Sequence, residues 1–224
     1  MRVTIIFFLF TLCSSAALAQ SSYKGGVQPE VKPSISFQND WKLNGKISSR
    51  VLFFEGSKTQ SITGINDYDR TELELILTKK TSSSTSWGGG YLIRNQNGDF
   101  KHRLIQQFSI DNDYGDLNLE HRFRFDETFQ KGEAVDYRFR YRIGFEKPLN
   151  SKNEKTYIFL NNEYIPSLQK DEFEMELRLL PGIGYKLNDN NKLEVGIDFR
   201  IENLFKDSHK QIYLLNLSWS PSFK

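Results

Sequence analysis

The segment AVDYRFRYRIGFE, residues 134–146, decides the fold because its apolar and charged residues alternate with a period of two. Successive side chains of a β-strand point to opposite faces, so this alternation predicts a long strand with one apolar and one charged face. The apolar face carries Val135, Tyr137, Phe139, Tyr141, Ile143 and Phe145. The charged face carries Asp136, Arg138, Arg140, Arg142 and Glu146.

The same alternation recurs along the chain and predicts one all-β domain over residues 34–224. Turn signals such as Asn44-Gly45 and Asn97-Gly98 separate the segments. Eleven strands can be counted, at 34–43, 46–55, 70–78, 85–95, 100–110, 114–125, 134–146, 155–165, 172–180, 192–202 and 210–220. Bacterial single-chain barrels have an even number of strands. We therefore expect about 10–12 strands, with 34–43 peripheral or a further strand in the leader or in 56–66.

The N-terminal residues 1–19 have the pattern of a cleaved export signal. Arg2 precedes the apolar run 3–12, and Ala17-Leu18-Ala19 forms the small-x-small cleavage pattern. The single cysteine lies within this signal, so we expect no disulfide in the mature chain. Residues 20–33 are polar with glycine and proline, which predicts a flexible leader.

Alternation alone fits a soluble β-sandwich as well as a membrane barrel. The predicted strands are about 10–13 residues long, near the length that crosses a bilayer with tilt. Their apolar faces are rich in Phe and Tyr, and the opposite faces carry ladders of Arg and Glu. We therefore predict a single antiparallel up-and-down transmembrane β-barrel. The expected location is the bacterial outer membrane, with its lipid and the barrel-assembly machinery as partners; a periplasmic β-sandwich binding module is the alternative.

The order of several short motifs resembles the domain-of-unknown-function family 2490. These motifs are Glu120-His121-Arg122, the ladder Arg138/Arg140/Arg142 ending at Pro148, Asn162-Glu163, Gly182 to Tyr185, and a final strand closing on Trp219. The resemblance covers roughly residues 40–219 and implies a small outer-membrane barrel of Gram-negative bacteria, without implying any activity. The chain is also distantly similar to monomeric oligogalacturonate-type porins, whose lumens present basic residues to acidic sugars.

The charged faces predict a network of lumen side chains. Its candidate members are Arg122, Arg124, Arg138, Arg140, Arg142, Arg178, Arg200, Glu72, Glu74, Glu120, Glu163, Glu174, Glu176, Glu194 and Asp198. Arginines in an open lumen would make a small anion- or oligosaccharide-conducting porin. Interleaved carboxylates would instead neutralise the arginines and fill a narrow barrel, giving a structural role. The nearly matched acidic and basic residues favour the filled lumen.

Catalysis, metal binding and nucleic-acid binding have little support in the sequence. His102 and His121 fall on apolar faces, and His209 lies in the predicted loop Asp207-Ser208-His209. A barrel hydrolase remains an alternative, but we assign no catalytic residue, metal ligand or cofactor. Gly88-Gly89-Gly90 indicates a bend or close packing in a strand rather than a phosphate loop. The net charge is +2 and no segment is strongly basic, so we expect no nucleic-acid partner.

Overall fold

The computed structural model describes residues 22–57, 61–150, 154–206 and 208–223. The predicted export signal, residues 1–19, lies outside these ranges. The described residues form twelve strands. They are β1 (Ser22–Val31), β2 (Ser34–Ser36), β3 (Trp41–Ser57), β4 (Thr63–Lys80), β5 (Thr85–Gln96), β6 (Asp99–Tyr114), β7 (Leu117–Gln130), β8 (Asp136–Pro148), β9 (Thr156–Gln169), β10 (Glu172–Asn188), β11 (Asn191–Glu202) and β12 (Lys210–Phe223).

The sheet closes into a barrel through β1, which pairs antiparallel with β3 and parallel with β12. The closed barrel has eleven strands, and the short β2 continues the line of β1 with the same two neighbours. The expectation of a purely antiparallel barrel is therefore wrong at this seam. The prediction of a flexible leader is also wrong for residues 22–31, because β1 is hydrogen-bonded along both edges.

The turns between strands contain residues that tolerate a positive φ. Asn97 and Gly98 have φ of 54° and 89° and join β5 to β6 in a two-residue hairpin, as their sequence predicts. Asn44-Gly45 does not form a turn but lies within β3, paired with β4. The chain reverses earlier, at residues 37–40, where Asn39 and Asp40 adopt φ of 58° and 62°. The β2–β3 turn therefore lies five residues before the sequence signal suggests.

The barrel carries its charges inside and its apolar side chains outside, and the closed sheet excludes the β-sandwich alternative. Along β7, Arg124 and Asp126 are 3% and 0% exposed, whereas Phe125 between them is 38% exposed. The three tryptophans, at positions 41, 87 and 219, are exposed near one end of the barrel, hereafter the Trp end. The connections 37–40, 81–84, 115–116 and 189–190 lie at the Trp end, and 97–98, 131–135 and 170–171 lie at the far end.

Part of the lumen is apolar, which the sequence pattern did not predict. Leu52, Ile212 and Leu214 form one buried cluster, with Ile65 packed against it. A second cluster consists of Ile76, Leu92 and Ile105 on β4, β5 and β6.

Among the described residues, none belongs to a helix long and apolar enough to span a bilayer.

Candidate functional site

The central carboxylate of the lumen is Asp126, which is fully buried among three guanidinium groups. Arg124 Nε donates to Asp126 Oδ1 at 2.6 Å, and Arg140 Nη1 donates to Oδ2 at 3.4 Å. Arg103 Nη1 lies 3.5 Å from the same Oδ2. Arg124 also reaches across the lumen to Glu74 on β4, with Nη2 2.8 Å from Oε2. These contacts join three neighbouring strands to a fourth on another side of the barrel.

A second carboxylate, Glu163 on β9, is also held by three arginines. Arg140 Nη2 donates to Glu163 Oε2 at 2.8 Å, and Arg122 Nη2 donates to Oε1 at 3.3 Å. Arg178 Nη1 lies 3.8 Å from Oε2 and makes a bidentate interaction with Glu176. Arg140 therefore bridges Asp126 and Glu163, and its loss would affect both centres.

The strand β1 contributes the side chain of Gln28 to the same interior. Its Oε1 accepts hydrogen bonds from Arg50 Nε and Nη2 at 3.2 and 3.0 Å, and from Arg200 Nη2 at 3.1 Å. Arg200 also donates to Asp198 at 2.6 Å. The amide of Gln28 thus joins arginines of β3 and β11 across the closing strand.

A β-bulge places a further carboxylate between two arginines. Arg50 is paired with Arg70, and the next pair is Val51 with Tyr68, so Asp69 is the extra residue of β4. Its Oδ2 lies 2.7 Å from Arg70 Nε and 3.4 Å from Arg50 Nη1. The bulge therefore offsets the repulsion that two directly opposed guanidinium groups would otherwise have.

The structure brings most of the sequence-predicted lumen residues into ion pairs. Beyond those above, the pairs are Glu72–Arg94, Glu120–Arg142 and Asp136–Arg138. Glu194 pairs with Lys32 and Lys192 rather than with an arginine. Glu174 is exposed at the far end, so its assignment to the lumen network is wrong. It accepts a hydrogen bond from Lys206 at 3.0 Å, which raises the pKa of that ammonium group.

Sequence reasoning missed several members of the network for identifiable reasons. Asp126 continues the alternation of β7, but the predicted strand ended at residue 125. Arg94 and Arg103 also alternate with apolar residues, so a stricter reading of β5 and β6 would have found them. Asp69 depends on a bulge and Gln28 on the closure of the barrel, and no local pattern signals either.

At least two cavities lie in the described part of the lumen, and both border on the network. The larger, hereafter the vestibule, has a volume of about 880 Å³ and extends to Phe37, Ser84 and Asp113 at the Trp end. A cavity of about 40 Å³ lies deeper. Both are lined by Gln28, Lys46, Glu74, Arg140, Arg178 and Arg200, which therefore separate them.

The three histidines do not form a catalytic constellation. His102 Nδ1 is 2.6 Å from the hydroxyl oxygen of Tyr91, and His121 Nδ1 is 2.8 Å from that of Tyr141. Both histidines lie on the outer faces of their strands, away from the lumen network. His209 is buried beside Gln211. Within the described ranges, no three His, Cys, Asp or Glu side chains are arranged to hold a metal ion.

The closed sheet and its buried ion pairs define a class of protein: a closed eleven-stranded β-barrel with a charged interior. Residues 30–211 match a family model described as a protein of unknown function, DUF2490. The chain belongs to this family, which confirms the resemblance found in the sequence. No curated protein and no solved structure matches the chain. The similarity to oligogalacturonate-type porins stays a prediction.

Proposed function

We propose that the chain is a non-enzymatic barrel of the Gram-negative outer membrane whose lumen is closed by its own ion pairs. The observation that carries this proposal is the polarity of the barrel, with buried charges inside and exposed apolar side chains outside. A membrane barrel has this arrangement because its outer face contacts lipid. In water, so large an exposed apolar surface would favour aggregation.

The distribution of aromatic residues supports the membrane location. Trp41, Trp87 and Trp219 lie on the outer surface at the Trp end. Exposed Phe100, Tyr137, Phe173 and Tyr213 lie near the far ends of β6, β8, β10 and β12. Aromatic side chains concentrate at both membrane–water interfaces of outer-membrane barrels, on either side of an aliphatic band. Outer-membrane lipid and, during insertion, the barrel-assembly machinery are therefore the proposed partners.

An ordered aromatic row crosses five strands on the outer surface. Trp87, Phe108, Phe123, Tyr141 and Tyr164 occupy consecutive paired positions on β5 to β9. Their ring centroids are between 4.6 and 6.4 Å apart. Aromatic contacts of this kind add to the energy of burial when the surface is removed from water. A lipid-facing surface accounts for such a row better than a soluble exterior does.

The packing of the lumen supports a closed barrel rather than a conducting pore. Arg103, Arg124 and Asp126 are buried, and Arg140 is bonded to two carboxylates. A pore that is selective for anions needs guanidinium groups exposed to a continuous water column. Here most of the arginines are already engaged by carboxylates, so the proposed role of the network is structural.

Fractionation and electrophoresis test the membrane location. We expect the protein in the outer-membrane fraction, and we expect faster migration on a denaturing gel before boiling than after it. A soluble periplasmic protein that shows no heat-dependent migration would refute the proposal.

Phospholipid and ester hydrolysis assays on the same purified sample test the barrel-hydrolase alternative, and we expect no turnover.

Electrical recording in planar bilayers tests the closed lumen. We expect no conductance from the inserted wild-type barrel, because the ion-pair network separates the two cavities. Steady anion-selective conductance that weakens or reverses in Arg140→Glu would instead establish the porin alternative.

A further inference from the structure

The vestibule is large enough for a small ligand but ends at the ion-pair network. Its volume of about 880 Å³ lies within the range typical of ligand pockets. Its mouth lies at the Trp end, and its floor includes Arg140, Arg178 and Arg200. A blind cavity of this kind is suited to holding a molecule rather than conducting it.

One wall of the vestibule carries five charged residues in consecutive paired positions, hereafter the arginine row. Arg122 on β7 is paired with Arg142, which is paired with Glu163 on β9. Glu163 is paired with Arg178, and Arg178 with Arg200 on β11. The row thus contains four guanidinium groups and one carboxylate, and all five residues line the vestibule. Directly opposed like charges are unfavourable unless anions lie between them.

On β8 and β9, the lumen-facing residues one step nearer the Trp end than the arginine row carry no charge. They leave space in the vestibule beside the row. These residues are Gly144 and Asn161, which are paired. A Cβ atom at Gly144 would lie 2.8 Å from Asn161 Oδ1, so a larger residue would force this amide to shift. Asn44, Asn161 and Asn216 supply neutral hydrogen-bonding groups around the vestibule. A ligand with both charged and polar oxygens matches this lining.

The arginines at this wall retain hydrogen-bond donors that nothing in the described chain accepts. The Nε atoms of Arg122, Arg140 and Arg142 are buried and have no acceptor among the described residues. The unpaired acceptors lining the same cavity are Gln107 Oε1 and Asp198 Oδ1. A guanidinium group has five donors and no acceptor, and a buried donor without a partner is destabilising. These Nε atoms have almost no surface open to the cavity, so an anion in the vestibule would contact the arginines that line it through their other N–H groups.

We propose that the vestibule binds a small anion bearing carboxylate or phosphate groups, seated on the arginine row against Arg122 and Arg142. The anion reduces the repulsion between these opposed arginines. Glu120 also lines the vestibule and keeps its contact with Arg142 when the ligand is bound. This proposal goes beyond the closed barrel, and it does not depend on the location of the protein.

Isothermal titration calorimetry of the purified protein tests the proposal, with citrate as the carboxylate probe and inorganic phosphate as the phosphate probe. We expect saturable binding of at least one anion at millimolar concentration, and the tighter of the two identifies the chemistry. Glucose, which is neutral, serves as the comparison and should not bind. Failure of both anions to bind, or binding of glucose with equal affinity, would overturn the proposal.

The variant Arg122→Gln tests the position of the site. Glu163 keeps Arg140 and Arg178 as partners when Arg122 is lost, so the network retains its main contacts. We expect anion affinity to fall about tenfold, the value of one charge-assisted hydrogen bond. The matched control, Arg138→Gln, removes the same charge outside the vestibule and should leave the affinity unchanged. Equal losses in both variants would indicate a diffuse effect of charge and would overturn the site.

A second pair of variants keeps the site testable if Arg122→Gln does not fold. Lys46 lines the vestibule, and its removal breaks none of the ion pairs described above. Lys46→Gln should weaken anion binding, whereas Lys101→Gln removes a lysine that does not line the vestibule and should have no effect. Unchanged binding in Lys46→Gln, or an equal loss in Lys101→Gln, would overturn the position of the site.

Discussion

Reversal of the charge at position 140 is expected to destabilise the barrel strongly. Arg140 lies 2.8 Å from Glu163 and 3.4 Å from Asp126, and its side chain is 12% exposed. Arg140→Gln removes the charge but leaves each carboxylate with two other arginines, so we expect a loss of about 1–3 kcal/mol. Arg140→Glu adds a third carboxylate to a confined space, and we expect a loss of about 3–5 kcal/mol.

The control for this prediction lies two residues away on the same face. Among the described residues, the ion-pair partner of Arg138 is Asp136 of its own strand, and the Arg138 side chain is 25% exposed. Because a more exposed pair is screened by solvent, Arg138→Glu should cost about 1 kcal/mol or less. Denaturant unfolding of the barrel in lipid vesicles, followed by tryptophan fluorescence, measures all three variants. Equal stability of Arg140→Glu and wild type would refute the role of Arg140 as a bridge.

Three further predictions concern the outer face, the strand packing and the closing strand. Ile197→Arg, at the centre of β11, should cost about 2–4 kcal/mol in lipid, whereas Leu193→Arg, near the interface, should cost about 0–1 kcal/mol; equal costs would contradict a lipid-facing surface. Gly90→Ala should destabilise the barrel by about 1–3 kcal/mol because its Cβ would clash with the Leu75 carbonyl oxygen, while Gly89→Ala, with its nearest atom at 3.7 Å, should be neutral. Gln28→Ala should cost about 1–3 kcal/mol in the same unfolding assay because two buried guanidinium groups lose an acceptor, and Gln28→Glu should restore part of the loss. Unchanged stability of Gln28→Ala would show that β1 does not anchor the network.

The alternation in residues 134–146 was sufficient to predict which side chains of β8 share a face. Arg138, Arg140 and Arg142 all lie inside, and Phe139 between them is exposed on the outside. This succeeds because the side-chain period of a strand is a local property of the backbone. The same argument does not locate Asp69, because a bulge in the β3–β4 pairing inserts it into β4 as an extra residue.

The polar composition of residues 22–31 gave no sign of a strand, because its structure depends on other parts of the chain. Without β1, the edges of β3 and β12 would lack the partner that each has in the closed barrel. Unpaired strand edges are unfavourable, so a segment with weak strand propensity is held between them by backbone hydrogen bonds. Gln28 then adds contacts to arginines on both sides.

By itself, the sequence determined that this protein is built of long strands with one apolar and one charged face. It also determined the family, since the match to DUF2490 covers residues 30–211. Only the tertiary structure decided that the barrel closes with a parallel seam and that Arg124 meets Glu74, fifty residues away. Alternation specifies the direction of each side chain relative to its own strand. Contacts across the lumen depend instead on the number of strands and their stagger, which no single strand encodes.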